Sequence, residues 1–300
     1  MMNSLNGARK QEIEAANAAR RVKLPDGTLV SAIGQGTWNI GENPAYREEE
    51  IAALRLGVEL GMNVIDTAEM YGEGQSESIV GEAIRGIREH VFLVSKVYPH
   101  NAGADRLARS CEASLKRLGT DHLDLYLLHW RGDVPLEETV EGMERLVKEG
   151  KILRWGVSNF DSKDMKELLD VPGGANCTTN QVLYHLGSRG IEVELLPWQR
   201  SKLMPIMAYS PLAQAGALRK GLVYSPVVME IAEAHGVQPL QVLLAWSIRE
   251  GGVIAIPKAS TRDHVLLNAS AGLIELSKEE SVRLNEAFPK PAFRVPLDVI

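Results

Sequence analysis

Apolar residues fall into short, nearly unbroken runs, separated by longer segments in which apolar positions recur every three or four residues. The runs are VSAIGQGTW (30–38), NVIDTA (63–68), VFLVSKV (91–97), LDLYLLHW (123–130), ILRWGVSNF (152–160), TTNQVLYHL (178–186), PIMAYSPL (205–212) and GVIAIPKA (252–259). Runs of this length, with little alternation, predict parallel strands buried on both faces. Helical periodicity marks 47–61, 104–119, 135–150, 225–236, 239–251 and 277–288. The first of these has Glu48, Glu49 and Glu50 in its opening turn and Gly61 at its end, and the third opens on Pro135. Early acids, a first-position proline and a terminal glycine are helix-boundary signals.

Eight strands, each followed by a helix, predict an α/β chain folded as a (β/α)8 TIM barrel. A doubly wound sheet can be assembled from the same units. The barrel is favoured by the count of eight and by polar chemistry gathered at the C-terminal ends of successive strands, where a barrel keeps its site. Upstream, VKLPDGTLV (22–30) places Asp26-Gly27 between two β-prone runs, which predicts a hairpin closing the barrel bottom. No composition shift divides the chain, so one domain is expected over 22–300. Residues 1–21 are expected to be a polar extension, helical or frayed.

Composition narrows the setting. Of 300 residues, 45% are hydrophobic and 24% charged, an ordinary globular balance. The net charge of −6 argues against a general nucleic-acid or anionic-membrane surface, while leaving room for a local basic phosphate pocket. Cys111 and Cys177 form no CxxC pair and read as reduced structural thiols. With no spanning apolar run and no signal-peptide core, a cytoplasmic protein is expected. No strong association signal appears, and a monomer is expected.

Four polar residues then stand out: Asp66 ends the second run, Tyr71 follows in AEMYGEGQSE, Lys96 ends the third and His129 the fourth. Neighbouring strand ends of a barrel converge on one mouth, so these residues can meet. Carbonyl reduction needs a hydride on carbon and a proton on oxygen. A phenol can give the proton, but its ordinary pKa of about 10 is high for exchange near neutrality. A lysine beside it would favour the phenolate, and a carboxylate would keep that lysine charged inside a pocket. A neutral histidine can donate to the carbonyl oxygen and orient it. Singly, each residue has a plainer reading: a capping aspartate, a loop tyrosine, a rim or Schiff-base lysine, a core histidine. No GxGxxG follows a strand, since GQGTWN and GEGQSE lack the last glycine, and no P-loop is present. No HxH or HExxH string exists, so no metal is expected.

NVIDTAEMYGEGQSESIVGEAI, the SK after the third strand, LGTDHLD and LDLYLLHW together resemble the aldo-keto reductase family, and within it the small bacterial members that reduce 2-oxoaldehydes such as methylglyoxal. The resemblance runs from about residue 22 onward. It implies a catalytic tetrad of Asp66, Tyr71, Lys96 and His129, and NADPH as cofactor, with NAD the less favoured alternative. It further implies that Ser158, Asn159 and Gln181 hold the nicotinamide amide, that Tyr209 stacks on its ring, and that Ser210 and Leu212 line the pyrophosphate path. Lys258, Ser260, Thr261 and Arg262 would grip the 2′-phosphate, and Asn268 would contact adenine. Gly36 and Thr37 would lie beneath the cofactor, with Trp38 and Trp130 walling the substrate pocket beside Tyr71 and His129. The chain departs from the family pattern at His264 and Leu267, where relatives often carry Arg and Glu; Arg262 offers a replacement cation. The short segment after Phe288 implies an open mouth. A Schiff-base lyase using Lys96 and a nicotinamide-binding regulatory subunit are the rival readings.

Overall fold

A computed structural model describes residues 7–300. A short antiparallel hairpin, β1 (Arg21–Lys23) and β2 (Leu29–Ser31), precedes eight parallel strands. These are β3 (Gln35–Gly36), β4 (Val64–Asp66), β5 (Phe92–Val97), β6 (Leu125–Leu128), β7 (Trp155–Ser158), β8 (Asn180–Leu183), β9 (Ile206–Tyr209) and β10 (Val253–Ile256). They pair in sequence order, and parallel bridges Ile33↔Ala255 and Gly36↔Lys258 join the two edges into a ring. The approach at that seam is close. A Cβ on Gly36 would lie 2.7 Å from the Ile256 carbonyl oxygen, so only glycine lets the ring close there. Almost every strand residue is buried, as a helix-wrapped parallel barrel requires.

The hairpin covers the N-terminal ends of the strands. Arg154, just before β7, bonds Asp26 at 2.6 Å and Thr28 Oγ1 at 2.7 Å, and Asn63, just before β4, accepts from the Ser31 N–H. The run predicted over 30–38 is divided. Its start belongs to β2, the Ala32 N–H turns to the Arg20 carbonyl, and only Gln35–Gly36 pairs as the first barrel strand.

All six predicted helices are present, with ends trimmed by one to four residues. The structure adds others, including Gln75–Ile84, Ser162–Asp170, Leu195–Ser201 and Arg262–Ser270. Residues 1–6 of the expected polar extension lie outside the described residues. Of the rest, Gly7–Ala19 is a docked helix with Ile13 and Asn17 buried. Asn17 Nδ2 donates to the carbonyls of Leu60 (2.8 Å) and Ala269 (3.1 Å). Both lie at helix C-termini, where carbonyls lack intrahelical donors. Among the described residues, no helix is long and apolar enough to cross a membrane.

Candidate active site

The polar strand ends converge as a barrel requires. Asp66 is the last residue of β4, Lys96 lies near the end of β5, and His129 follows β6 directly. Lys96 Nζ is fully buried and donates to Asp66 Oδ2 at 2.7 Å, to the Thr67 carbonyl at 2.9 Å and to the Tyr71 hydroxyl at 3.1 Å. Those three acceptors use all the protons of an ammonium. Asp66 Oδ1 accepts from Gln181 Nε2 at 2.7 Å. Burial pushes the Asp66 carboxyl up from its ordinary range, while Lys96 and the Gln181 amide pull it back. Both oxygens act as acceptors, the arrangement of a carboxylate. Lys96 loses basicity to burial but regains more from Asp66 and Tyr71, and stands above an ordinary lysine.

This bears on two expectations. A Schiff-base lysine must shed its proton and reach solvent, whereas Lys96 is sealed and held charged. Lys96 was also expected to lower the tyrosine pKa. It does oppose burial, but burial wins, and Tyr71 stands above an ordinary phenol. At neutral pH the hydroxyl therefore keeps its proton, the state that a proton donor needs.

His129 sits edge-on to Tyr71, with ring centroids 5.8 Å apart. Burial first, then the Lys96 charge, push its pKa down to about 3, so the ring is neutral. Among the described residues nothing bonds its buried Nδ1. A buried lone pair costs less than a buried, unshared N–H, so we assign the proton to Nε2, toward the cavity.

Around this centre lies a cavity of about 140 Å³. Of the sequence-derived residues it is lined by Gly36, Thr37, Trp38, Asp66, Tyr71, His129, Ser158, Asn159, Gln181, Tyr209, Ser210 and Lys258. Asn159 and Ser210 have φ of 59° and 47°, left-handed for non-glycine residues, and so carry local strain at the mouth. The Tyr209 hydroxyl donates to Asn159 Oδ1 at 2.8 Å, which holds the ring beside the cavity. Lys258 is exposed, close to Ser260 Oγ (3.3 Å), and Thr261 caps the helix that begins at Arg262. Asn268 lies further along that helix, nearly buried.

Leu212 and Trp130 stand outside the lining of this cavity. Leu212 belongs to the hydrophobic core and its side chain does not line the cavity. Trp130 does not line it either, but its ring stands 5.0 Å from that of His129, half exposed at the rim. The mouth is also less open than the short segment after Phe288 implied. Residues 289–300 run back across it, with Asp298 accepting from Ser188 Oγ at 2.5 Å and Arg294 paired with Asp161 and Glu194. Ile300 thereby joins the cavity wall, as do Met70 and Ile256. Ile256 was legible as the residue two before Lys258. Nothing in the sequence points Ile300 at the site, because only the fold of the tail brings it there.

The donor set suits a nicotinamide dinucleotide phosphate: an aromatic ring and amides beside the catalytic centre, then an exposed ammonium and hydroxyls at a helix start. Barrel, tetrad and donor set define a nicotinamide-dependent oxidoreductase. Residues 32–288 match the Aldo/keto reductase family, and the chain belongs to it. It is 59% identical over 281 residues to methylglyoxal reductase YeaE of Escherichia coli (strain K12), covering 94% of this chain and 99% of that protein. It is 34% identical over 267 residues to the glyoxal reductase of Bacillus subtilis, covering 88% and 91%. Among solved structures, an aldo/keto reductase from Klebsiella pneumoniae in complex with NADP and acetate superposes with a TM-score of 0.92 at 55% identity, covering 94% and 99%.

The buried histidines also set a pH limit on stability. His185, like His129, is buried, and its pKa is pushed down to about 4. Unfolded, each would titrate near an ordinary pKa of about 6.5. Between those values the unfolded chain binds protons that the folded chain refuses, so stability falls as pH drops below about 6.5. Each imidazole contributes up to about 1.4 kcal/mol per pH unit in that window. The urea midpoint is expected to fall between pH 7 and pH 5, and less steeply in His185→Asn. A midpoint that stays level over this range would contradict the assignment.

Proposed function

We propose that this protein reduces aldehydes and ketones with NADPH, and that small 2-oxoaldehydes of the methylglyoxal type are its substrates. The observation that carries the reading is the chain Asp66–Lys96–Tyr71, closed by a neutral His129 at the floor of one cavity. Bound NADPH supplies a hydride to the carbonyl carbon. Tyr71 gives its proton to the carbonyl oxygen, and the phenolate left behind is stabilised by the Lys96 ammonium. Asp66 keeps that ammonium charged and aimed. His129 Nε2–H donates to the carbonyl oxygen and presents it to Tyr71. The phenolate regains a proton from solvent before the next turnover.

Ser158, Asn159 and Gln181 would hold the carboxamide of the cofactor, Tyr209 would stack on its ring, and Ser210 and Leu212 would line the pyrophosphate path. Lys258, Ser260, Thr261 and Arg262 would hold the 2′-phosphate, with Asn268 at adenine. Trp38 and Ile300, on the cavity wall, would bound the substrate and favour one with a small body. The similarity to enzymes named for methylglyoxal and glyoxal supports the same choice. We also read the protein as a cytoplasmic monomer. All four tetrad residues come from one chain, and Cys111 and Cys177 are free, buried thiols whose pKa burial pushes up to about 12.

The decisive assay follows NADPH and NADH oxidation with methylglyoxal, an aromatic aldehyde and a keto-sugar. Turnover fastest with NADPH and methylglyoxal is expected. Cofactor binding without turnover on any carbonyl would favour the regulatory-subunit reading instead. Lys258→Ala should raise the Kd for NADPH about 10- to 100-fold, the worth of a charge-assisted hydrogen bond, and leave NADH nearly unchanged. Equal losses for both cofactors would mean that Lys258 does not read the 2′-phosphate.

A further inference from the structure

Tyr71 stands at the start of an uncommon piece of backbone. Gly72, Glu73 and Gly74 have φ of 54°, 52° and 89°, three left-handed residues in succession. One of them is not glycine, and such a conformation persists only where its surroundings hold it. The helix that follows, Gln75–Ile84, carries Glu77 in its first turn. Glu77 is fully buried yet takes no part in the proton chemistry described above. Its two oxygens are gripped from opposite sides. Ser95 Oγ donates to Oε1 and Arg117 Nε donates to Oε2, each at 2.5 Å.

Both partners matter to the site. Ser95 is the neighbour of Lys96 on β5, and alternation along a strand turns its side chain outward, away from the face that carries Lys96. Glu77 therefore pins the Tyr71 loop and helix to the back of the strand whose front holds the lysine. Arg117 comes from the helix Ala104–Leu118 and is steadied by Ser114 Oγ at 3.1 Å. Its side chain lies against Gly74, so closely that a Cβ there would stand 2.6 Å from Arg117 Cδ. The guanidinium thus holds the carboxylate with its nitrogen and the left-handed turn with its stem. A separate tie, Ser76 Oγ donating to Thr37 Oγ1 at 2.8 Å, fixes the same helix start to the cavity rim.

We infer that Glu77, clamped between Ser95 and Arg117, is a positioning residue that sets the Tyr71 hydroxyl against Lys96 Nζ. This rests on the proposed reductase chemistry. A carboxylate buried only to stabilise the fold would have no need to bridge the catalytic loop and the lysine strand. The bond it protects is the 3.1 Å contact between Tyr71 and Lys96. Displacement of a reacting group by about 1 Å costs on the order of 100-fold in rate.

The experiment compares wild type, Glu77→Gln, Arg117→Met, the double variant and Ser95→Ala in methylglyoxal reduction. Each is also assayed for NADPH affinity by fluorescence and for its urea midpoint. Wild-type turnover is the control for the chemistry itself; its absence would sink the reductase reading rather than this one. Arg117→Met strands the fully buried Glu77 carboxylate and should lose the more stability, Glu77→Gln leaves a partly exposed guanidinium and should lose less, and the double variant removes both charges and should recover stability. The inference expects kcat to stay down about 10- to 100-fold in the double variant, with NADPH affinity within about twofold of wild type. The pH profile of kcat should also shift as the Tyr71–Lys96 contact loosens. Recovery of kcat together with stability, or wild-type kcat in every variant, would overturn it. Ser95→Ala removes one oxygen and keeps the ion pair, so it tests the inner grip even where the charge variants fail to fold. The lost bond to a buried carboxylate should lower the urea midpoint, and kcat of the folded enzyme, measured well below that midpoint, is expected to fall with NADPH affinity unchanged; an unchanged kcat would reject the Ser95 arm and with it the clamp.

Discussion

Replacing Tyr71 with Phe should lower kcat for carbonyl reduction about 10²- to 10⁴-fold, the span of a general acid, with NADPH affinity little changed. The geometry makes the substitution a narrow one. Among the described residues the hydroxyl accepts from Lys96 alone, and Lys96 keeps Asp66 and the Thr67 carbonyl when the phenol oxygen is gone. No buried charge is orphaned, and the ring still packs edge-on to His129. A loss of rate can therefore be assigned to the proton rather than to the fold. Stopped-flow measurement of a single turnover with saturating NADPH separates the chemical step from product release. A variant that retains more than a tenth of the wild-type single-turnover rate, against the hundredfold minimum expected of a general acid, would remove Tyr71 from the mechanism.

Lys96→Met should be costly in a second way. Methionine fills similar space, but it leaves the Asp66 carboxylate fully buried with the Gln181 amide as its remaining partner. Breaking a buried pair from one side costs about 3–5 kcal/mol. For a chain of this length that lowers the thermal midpoint by roughly 5–8 °C. Turnover should fall with it, because no cation then stabilises the Tyr71 phenolate. Adding Asp66→Asn removes the stranded charge while keeping an acceptor for Gln181, and most of the lost stability should return without activity. Thermal melts of the three proteins at pH 7 give the check. If the single and double variants melt together at the wild-type temperature, the ion pair is not holding the site. If activity returns with the double variant, the lysine charge is not needed for the proton transfer.

Much of this was legible in the chain. The eight apolar runs read as barrel strands because each is buried on both faces, which leaves local hydrophobicity as an unmixed signal. Asp66, Lys96 and His129 were legible because a charged or polar residue at the end of such a run has no packing reason to be there. Tyr71 was legible only from its place just after Asp66, since a loop tyrosine carries no periodicity, and the resemblance strengthened that reading. What failed did so for identifiable reasons. The 30–38 run reads as one strand, yet hairpin and barrel share it, and the division depends on Arg20 taking the Ala32 N–H. The polar extension, read as helical or frayed, holds the helix Gly7–Ala19, whose docking rests on one apolar residue and on the amide of Asn17.

By itself, the sequence carried the eight-fold repeat in its local pattern and, through the family resemblance of its motifs, the class of cofactor and the four candidate reacting residues. Only the tertiary structure decided the state in which those side chains stand. Burial raises Tyr71 although Lys96 is beside it, drives His129 to neutrality and brings Ile300 into the cavity. It also places Glu77 behind the lysine strand with Ser95 and Arg117 upon it. These are consequences of desolvation and of contact between segments far apart in the chain. Neither is a property of any stretch of sequence read alone, because both exist only once the barrel has closed and water has left its mouth.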